Sequence, residues 1–80
     1  MPGDQIDPLS PEPRYLQVAA ILRGQIERGE IQPGEALPSQ ATMVQRYGVA
    51  RMTVSRAVRL LVDEGLAVIV PGMGAFVARR

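Results

Sequence analysis

The sequence predicts a small α+β domain, mostly helical, in which three helices are followed by a two-stranded β-hairpin. Two observations support this prediction. Apolar residues recur at helical spacing in three segments, and each segment ends at a glycine. After the last of these glycines, two short apolar runs flank a Pro-Gly turn, which is the pattern of a hairpin.

Length and composition limit the chemistry that such a domain can perform. A chain of 80 residues forms one small domain that buries about 60% of its unfolded surface, so it has no room for a large substrate cavity. It contains no cysteine and no histidine, which removes thiolate nucleophiles, imidazole bases and the commonest zinc ligands. We therefore predict that the chain is not an enzyme and holds no cofactor or metal.

The apolar runs of the chain, such as residues 66–70, are far shorter than the roughly 20 residues that span a membrane. The amino terminus also lacks the basic and apolar pattern of a signal peptide. These features predict a cytoplasmic protein with no membrane partner.

The first twelve residues differ in composition from the rest of the chain. They contain three prolines and three acids, no base and almost no apolar periodicity. A segment of this kind buries too little apolar surface to offset the entropy lost on ordering. Residues 1–12 are therefore predicted to be a disordered, acidic and proline-rich leader, and residues 13–80 to be the folded domain.

The first helix is predicted to begin near Pro13 and to end at Gly29, in keeping with the preference for proline at helix starts and glycine after helix ends. Its apolar stripe consists of Tyr15, Val18, Ala19, Leu22 and Ile26. This helix is interpreted as a scaffold. Tyr15 is interpreted as core or rim packing rather than as a stacking surface.

The second helix is predicted to begin after Ser39, whose hydroxyl can accept a hydrogen bond from the first turn, and to end at Gly48. Its inward-facing apolar residues are Met43, Val44 and Tyr47. Upstream, the pair Pro33-Gly34 predicts a tight turn.

The third helix is predicted from Arg51 to Glu64, with Gly65 as its stop. Its predicted buried face consists of Val54, Ala57, Val58 and Leu61. The opposite face consists of Met52, Ser55, Arg56, Arg59 and Asp63. Only residues 48–50 separate the second and third helices, which is the turn length of a helix-turn-helix, a motif whose second helix enters the major groove of DNA.

After the third helix, residues 66–70 and 75–78 flank the turn Pro71-Gly72-Met73-Gly74 and predict a β-hairpin. Phe76 is predicted to pack this hairpin against the helices. A helix-turn-helix followed by such a hairpin is a winged helix-turn-helix.

Positive charge is concentrated in one part of the chain. The formal net charge is +1, but residues 1–13 carry three acids and no base, while residues 14–80 carry nine arginines and five acids. No acid occurs from Ala36 to Val62. The arginines of this stretch are Arg46, Arg51, Arg56 and Arg59. A cationic helix in an acid-free stretch indicates an anionic partner, for which double-stranded DNA is the leading candidate, although GC-rich coding would also favour arginine over lysine.

Several landmarks occur in order along the chain: Tyr15-Leu16-Gln17, Pro33-Gly34, Leu37-Pro38-Ser39, Tyr47-Gly48-Val49, Arg51-Met52-Thr53-Val54, Glu64-Gly65-Leu66 and Gly72-x-Gly74-x-Phe76-Val77. Together they resemble the amino-terminal DNA-binding domain of GntR-family bacterial transcription regulators, and residues 51–54 resemble the HutC subgroup. The resemblance covers about residues 14 to 80. It implies a repressor that binds an inverted-repeat operator as a homodimer, with a small-molecule effector bound by a further carboxy-terminal domain that these residues do not include.

The resemblance also implies DNA contacts for individual residues. Arg51 matches an arginine at the start of the recognition helix that can donate two hydrogen bonds to guanine, and Thr53 matches a threonine that contacts the backbone or a base. Ser39 lies where a helix start meets phosphate, and the glycines near residue 73 match the tip of the wing. The predicted DNA-binding residues are Ser39, Gln40, Arg51, Met52, Thr53, Ser55, Arg56, Arg59, Gly72, Met73 and Gly74.

The sequence departs from the family pattern at four places. Ala50 stands where serine is usual, which removes an N-cap worth roughly 1 kcal/mol, and Gln40 replaces a glutamate. Ser55 occupies a position that is often arginine, and Arg56 follows it about 100° further around the helix. Met73 replaces a basic residue of the wing, so operator preference is expected to differ from that of relatives.

Less specific interpretations stay open. On an arbitrary helix, Arg56 and Arg59 would more often be solvated charges than ligand contacts. Winged helices also serve as protein-interaction modules, in which case the acidic leader can fold over the basic face. An enzyme would have to use a carboxylate or a serine, and no supporting set of residues is identifiable.

Overall fold

Three helices precede a two-stranded antiparallel sheet in the computed structural model of the chain, which describes residues 5–79. The elements are α1 (Arg14–Glu27), α2 (Gln40–Tyr47), α3 (Arg51–Asp63), β1 (Ala67–Val70) and β2 (Gly74–Val77). The predicted fold class is confirmed, and the third helix ends one residue earlier than expected because Glu64 is its C-cap. Among the helices of residues 5–79, none has the length and apolarity needed to cross a membrane.

The turn between α2 and α3 follows from two local features. Gly48 adopts a left-handed conformation with φ 66°, which costs a glycine little and reverses the chain sharply after α2. Ala50 is the N-cap of α3 and makes no side-chain hydrogen bond there, as expected for an alanine in place of serine. The start of α3 therefore depends on packing rather than on a cap.

The core lies where α1, α2 and α3 meet the sheet. All four residues predicted for the inner face of α3 are buried: Val54, Ala57, Val58 and Leu61. They pack in one cluster with Val18 and Leu22 of α1. A bidentate ion pair also joins α1 to the end of α3, because Arg23 Nε donates to Glu64 Oε1 at 3.0 Å and Arg23 Nη2 donates to Glu64 Oε2 at 2.8 Å. This hydrogen bonding raises the pKa of Arg23 above its ordinary value.

The wing consists of β1, β2 and their turn, residues 67–77. Val70 pairs with Gly74, and the amide of Met73 donates to the carbonyl of Val70 at 3.0 Å. With Pro71 in the second place and Gly72 at φ 78° in the third, this is the geometry of a type II turn. The turn holds Met73 at the tip of the wing.

Residues 35–37 form a third extended segment that the sequence did not predict. The amide of Val77 donates to the carbonyl of Glu35 at 2.8 Å, and the amide of Leu37 donates to the carbonyl of Ala75 at 2.9 Å. The segment connecting α1 to α2 therefore pairs with the outer edge of β2. This pairing fixes the position of the wing relative to the start of α2.

The prediction for Phe76 is wrong. Along β2 the residues alternate between two faces of the sheet, and it is Val77 that points into the core, opposite the buried Ala67 of β1. Phe76 is half-buried on the other face, paired with Val68. The hairpin is thus held to the helices by smaller residues than expected.

The predicted leader is described in part. Residues 1–4 lie outside the described range, and residues 5–12 run beside the start of α1. There the amide of Asp7 donates to Gln17 Oε1 at 2.8 Å, while Gln17 Nε2 donates to the carbonyls of Asp7 and Glu12 at 3.2 and 2.9 Å. The disorder of residues 1–12 and the boundary at residue 13 stay predictions.

Candidate nucleic-acid interface

The solvent face of α3 carries most of the predicted DNA-binding residues. The exposed ones are Arg51, Met52, Ser55, Arg56 and Arg59. Met52 is 72% exposed although its side chain is apolar, and Thr53 is half-buried at the edge of the face. Because the opposite side of the helix is sealed in the core, this polar side points outward. The predicted exposure of this face is confirmed.

The leading end of α3 is tied to the first residue of α2. Arg51 Nη1 donates to Gln40 Oε1 at 2.7 Å, and Gln40 Nε2 donates to Ser55 Oγ at 2.5 Å. Because its oxygen accepts from a guanidinium and its nitrogen donates to a hydroxyl, the amide of Gln40 has one favoured orientation. This neutral amide holds Arg51 without neutralising its charge, which a glutamate at position 40 would do.

Ser39 caps α2 as the sequence predicted. Its hydroxyl accepts from the amide of Thr42 at 3.1 Å and donates to Thr42 Oγ1 at 2.8 Å. The hydroxyl proton is therefore directed to a neighbour within the chain. Backbone amides at the start of α2 remain suited to an anion, because the helix dipole is positive there. The phosphate contact of Ser39 and the DNA contact of Gln40 stay predictions.

The guanidinium of Arg56 lies against α1, whereas the side chain of Ser55 contacts α2. Its guanidinium carbon is 4.0 Å from the centroid of the Tyr15 ring, within the range of a cation–π contact. The interpretation of Tyr15 as packing alone missed this contact. The sequence did contain a sign of this contact. Arg56 comes one residue after the position where the family often has arginine, and this offset turns its side chain away from the side of α3 that faces α2.

The four arginines of residues 36–62 keep their charges unpaired within the described part of the chain. The ion pairs there engage Arg23 with Glu64 and Arg28 with Glu30, and neither involves one of these four arginines. The acid-free stretch seen in the sequence therefore becomes a cationic surface. Such a surface is suited to a polyanion.

The tip of the wing is open and uncharged. No charged residue occurs from Gly65 to Ala78, and Met73 is 72% exposed. Gly72 and Gly74 have φ values of 78° and 117°, and a Cβ atom at either position would meet nothing within 4 Å. The positive φ values therefore favour glycine at both positions, and the space around them is open to an approaching partner.

A concave surface, which encloses a hollow of about 600 Å³, lies between the helices and the wing. Six of the predicted site residues line it: Ser39, Gln40, Ser55, Arg59, Met73 and Gly74. The structure thus brings together the start of α2, the middle of α3 and the wing tip. Arg51 and Arg56 lie outside this hollow.

No group of three or more His, Cys, Asp or Glu side chains in residues 5–79 is arranged to hold a metal ion. The exposed face carries guanidinium, amide, hydroxyl and thioether groups, with the carboxylate of Asp63 at its far end. These groups bind ligands through charge, hydrogen bonds and apolar contact.

Comparison with known proteins identifies the family. The sequence pattern of bacterial regulatory proteins of the gntR family matches residues 14–77. The chain belongs to the GntR family. The family predicted from the motifs is thereby confirmed, and so is the winged helix-turn-helix fold.

Two curated relatives of the GntR chain are named as repressors. The histidine utilization repressor of Klebsiella aerogenes is 42% identical over 69 residues, which is 86% of this chain and 29% of the relative. The HTH-type transcriptional repressor NagR of Bacillus subtilis (strain 168) is 42% identical over 74 residues, which is 92% of this chain and 30% of the relative. The chain thus spans about 30% of the length of these curated relatives.

Solved structures of the GntR family share the fold. The crystal structure of AraR(DBD) in complex with operator ORX1 has a TM-score of 0.84 and 37% identity, covering 91% of this chain and 90% of that one. YtrA from Sulfolobus acidocaldarius, a GntR-family transcription factor, has a TM-score of 0.87 and 36% identity, covering 96% of this chain and 81% of that one. The arrangement of helices and wing is therefore shared with these two structures.

Proposed function

We propose that this chain binds double-stranded DNA in a sequence-specific way, as the DNA-binding domain of a GntR-family transcriptional repressor. The observation that carries the proposal is the exposed face of α3, where residues 51–62 include three arginines and no acid and where Arg51 is held at the leading end with its charge intact. The similarity over 91% of the chain to AraR(DBD) in complex with an operator supports it.

Base recognition is assigned to the leading end of α3. An arginine that enters the major groove can donate two hydrogen bonds to O6 and N7 of guanine, a pattern that no other base pair presents. Gln40 and Ser55 restrict the side chain of Arg51 before DNA arrives, so less conformational entropy is lost on binding. With its neighbours Met52 and Thr53, Arg51 would read about three to four base pairs per domain.

Orientation on the duplex is assigned to contacts with the DNA backbone. A sugar-phosphate strand separates the major groove from the minor groove. If α3 occupies the major groove and the wing contacts the minor groove, this strand would lie in the concave surface between them. The first amides of α2 border this surface and would bind phosphate. The wing tip, with Met73 between two glycines, would then lie at the minor groove.

Repression is proposed to require two copies of the domain. One small domain makes few base contacts, and two domains on an inverted repeat gain effective concentration and specificity, with half-sites about 10 base pairs apart. Because the chain spans about 30% of its curated relatives, the homodimer and the small-molecule effector are assigned to a further carboxy-terminal domain. We place the protein in the bacterial cytoplasm, where its DNA lies, and assign it no enzymatic activity.

A protein-interaction module is the second candidate function, favoured by the uncharged wing. Ile69 and Met73 are 51% and 72% exposed, and apolar side chains at a surface are available to a protein partner. This alternative predicts weak binding to every duplex at moderate salt and tight binding to one protein.

Selection of bound sites from random duplexes, repeated at two salt concentrations, tests the proposed function. We expect an enriched site with a guanine in each half, and an affinity that falls as salt rises. Enrichment of no sequence at either salt concentration would contradict sequence-specific binding. The matched control is Arg28→Ala, which removes one positive charge at an ion pair away from α3 and should enrich the same site.

A further inference from the structure

We propose that Tyr15 of α1 is a positioning residue in a second phosphate site, in which its ring holds Arg56 so that Arg56 and Arg59 bind one phosphodiester of the DNA backbone. This inference rests on the proposed function. The site lies on the flank of α3 that faces α1, apart from the leading end assigned to base recognition.

The two flanks of α3 are supported by different helices. Ser55 is bonded to Gln40 of α2, whereas Arg56, the next residue, lies over Tyr15 of α1 at 4.0 Å. Successive residues on a helix point about 100° apart, so these two side chains point in different directions, although Ser55 still borders the hollow that Arg56 lines. Arg56 is therefore directed away from the position that Arg51 occupies.

The dimensions of DNA indicate what the α1 flank would meet. A helix with its side chains is about 10–12 Å across, and the major groove is about 12 Å wide with phosphates along both edges. A helix that fills the groove points its leading residues at bases and its flanks at the backbone. Arg56 and Arg59 are three residues apart and are neighbours on the helix surface, and together with Tyr15 they line an open hollow.

Stacking leaves the binding edge of Arg56 available. A guanidinium that lies over an aromatic ring uses its planar face, while the N–H donors around its edge remain free to bind phosphate in a forked geometry. Tyr15 is itself half-buried against the core, so the ring is a firm support. Asp63 also lines the hollow, and its negative charge opposes a phosphate there.

A double-mutant cycle tests the coupling of Tyr15 to Arg56. We would measure the affinity and salt dependence of the full chain, Tyr15→Leu, Arg56→Ala and the double variant on the selected site and on a scrambled duplex. Arg56→Ala should weaken both duplexes and lower the slope of log affinity against log salt by about 0.9. Tyr15→Leu should weaken both roughly two- to fivefold in the parent and have no further effect beside Arg56→Ala.

Two variants separate positioning from packing. Tyr15→Phe keeps the ring and should bind within twofold of the parent, whereas Arg56→Lys keeps the charge but loses the planar face and should weaken both duplexes while Tyr15 stays in place. Arg56→Lys also carries the test if Tyr15→Leu does not fold. Asp63→Asn should strengthen binding to both duplexes.

The outcomes distinguish this inference from the proposed function. Two results would show that the inference is wrong while the parent still prefers the selected site. In the first, the losses of DNA affinity caused by Tyr15→Leu and Arg56→Ala multiply in the double variant. In the second, Arg56→Lys binds DNA as tightly as the parent, and in both cases the proposed function stands. If the parent shows no sequence preference at all, the proposed function fails first.

Discussion

Helix α3 and the wing border the same concave surface of this small domain but differ in charge. The stretch that contains α2 and most of α3 carries four arginines and no acid, whereas residues 65–78 carry no charge. The wing instead exposes apolar side chains, Ile69 at 51% and Met73 at 72%. Counterion release, the main source of salt-dependent affinity for DNA, can therefore come from the helices but not from the wing.

This difference assigns separate tasks to the two regions. The helices supply charge and hydrogen-bond donors, which in the proposed function would bind phosphate and read base edges. The wing supplies glycine amides and a methionine, which can contact the minor groove by shape and apolar packing. We expect the helix contribution to weaken as salt rises and the wing contribution to be nearly independent of salt.

The largest effect should come from Arg51→Ala. Loss of a bidentate contact to guanine should cost about 1–3 kcal/mol on the selected site and relax preference at one base pair. Competition binding against sites substituted one base pair at a time measures both effects. Arg28→Ala is the control of equal charge. An Arg51→Ala protein that keeps the affinity and preference of the parent would show that α3 does not read that base.

Ala50→Ser should stabilise the start of α3 without changing its charge. A serine at this N-cap can bond a free amide of the first turn, which is worth about 1 kcal/mol and should raise the thermal midpoint by about 4–8 °C in a domain of this size. Thermal unfolding followed by circular dichroism provides the measurement, and Ala20→Ser, at an exposed position within α1, is the control. An unchanged midpoint would mean that packing alone sets the beginning of α3.

Arg59→Ala should weaken all DNA sequences alike. Removing one phosphate contact should lower the salt slope by about 0.9 while leaving base preference unchanged. Titrations on the selected and scrambled duplexes at several salt concentrations supply the comparison. A change of preference at one base pair would instead place Arg59 at a base edge.

The smallest effect is expected at the wing. Met73→Ala should leave the salt slope unchanged, because no charge is removed, whereas Met73→Lys should raise the slope by about 0.9 if the wing tip lies at the DNA backbone. The same titrations measure both variants. If Met73→Lys leaves the slope at its parent value, the wing tip lies away from DNA and the comparison between helix and wing has to be revised.

Local sequence patterns predicted the helices well. The buried face of α3 follows from its helical period, and the end of α2 follows from Gly48, whose conformation needs no distant partner. The wing turn was readable for the same reason, since Pro71 and Gly72 occupy the places that a type II turn favours. Each of these features depends on residues close together in the chain.

Features that depend on distant residues were missed. Residues 34–37 pair with β2 some forty positions later, and Tyr15 meets Arg56 across a similar separation, so neither contact leaves a local pattern. Phe76 is a different case. The alternation of a strand allows either face to be buried, and the size of the side chain suggested the wrong one.

The predicted site was only partly readable. The structure confirms that the face of α3 is exposed and adds the Gln40 network, which joins two helices and could not be read from either alone. The contacts of the predicted residues with DNA stay predictions, because a partner's position depends on two molecules.

A nuclear magnetic resonance titration of the chain with its selected duplex tests the central claim most directly. The account predicts the largest changes at the amides of residues 39–41, 51–56 and 72–74 and at the side-chain Nε–H of Arg51, with little change in the buried half of α1. Large changes confined to α1 or the core, with residues 51–56 unaffected, would contradict the claim that the exposed face of α3 reads DNA.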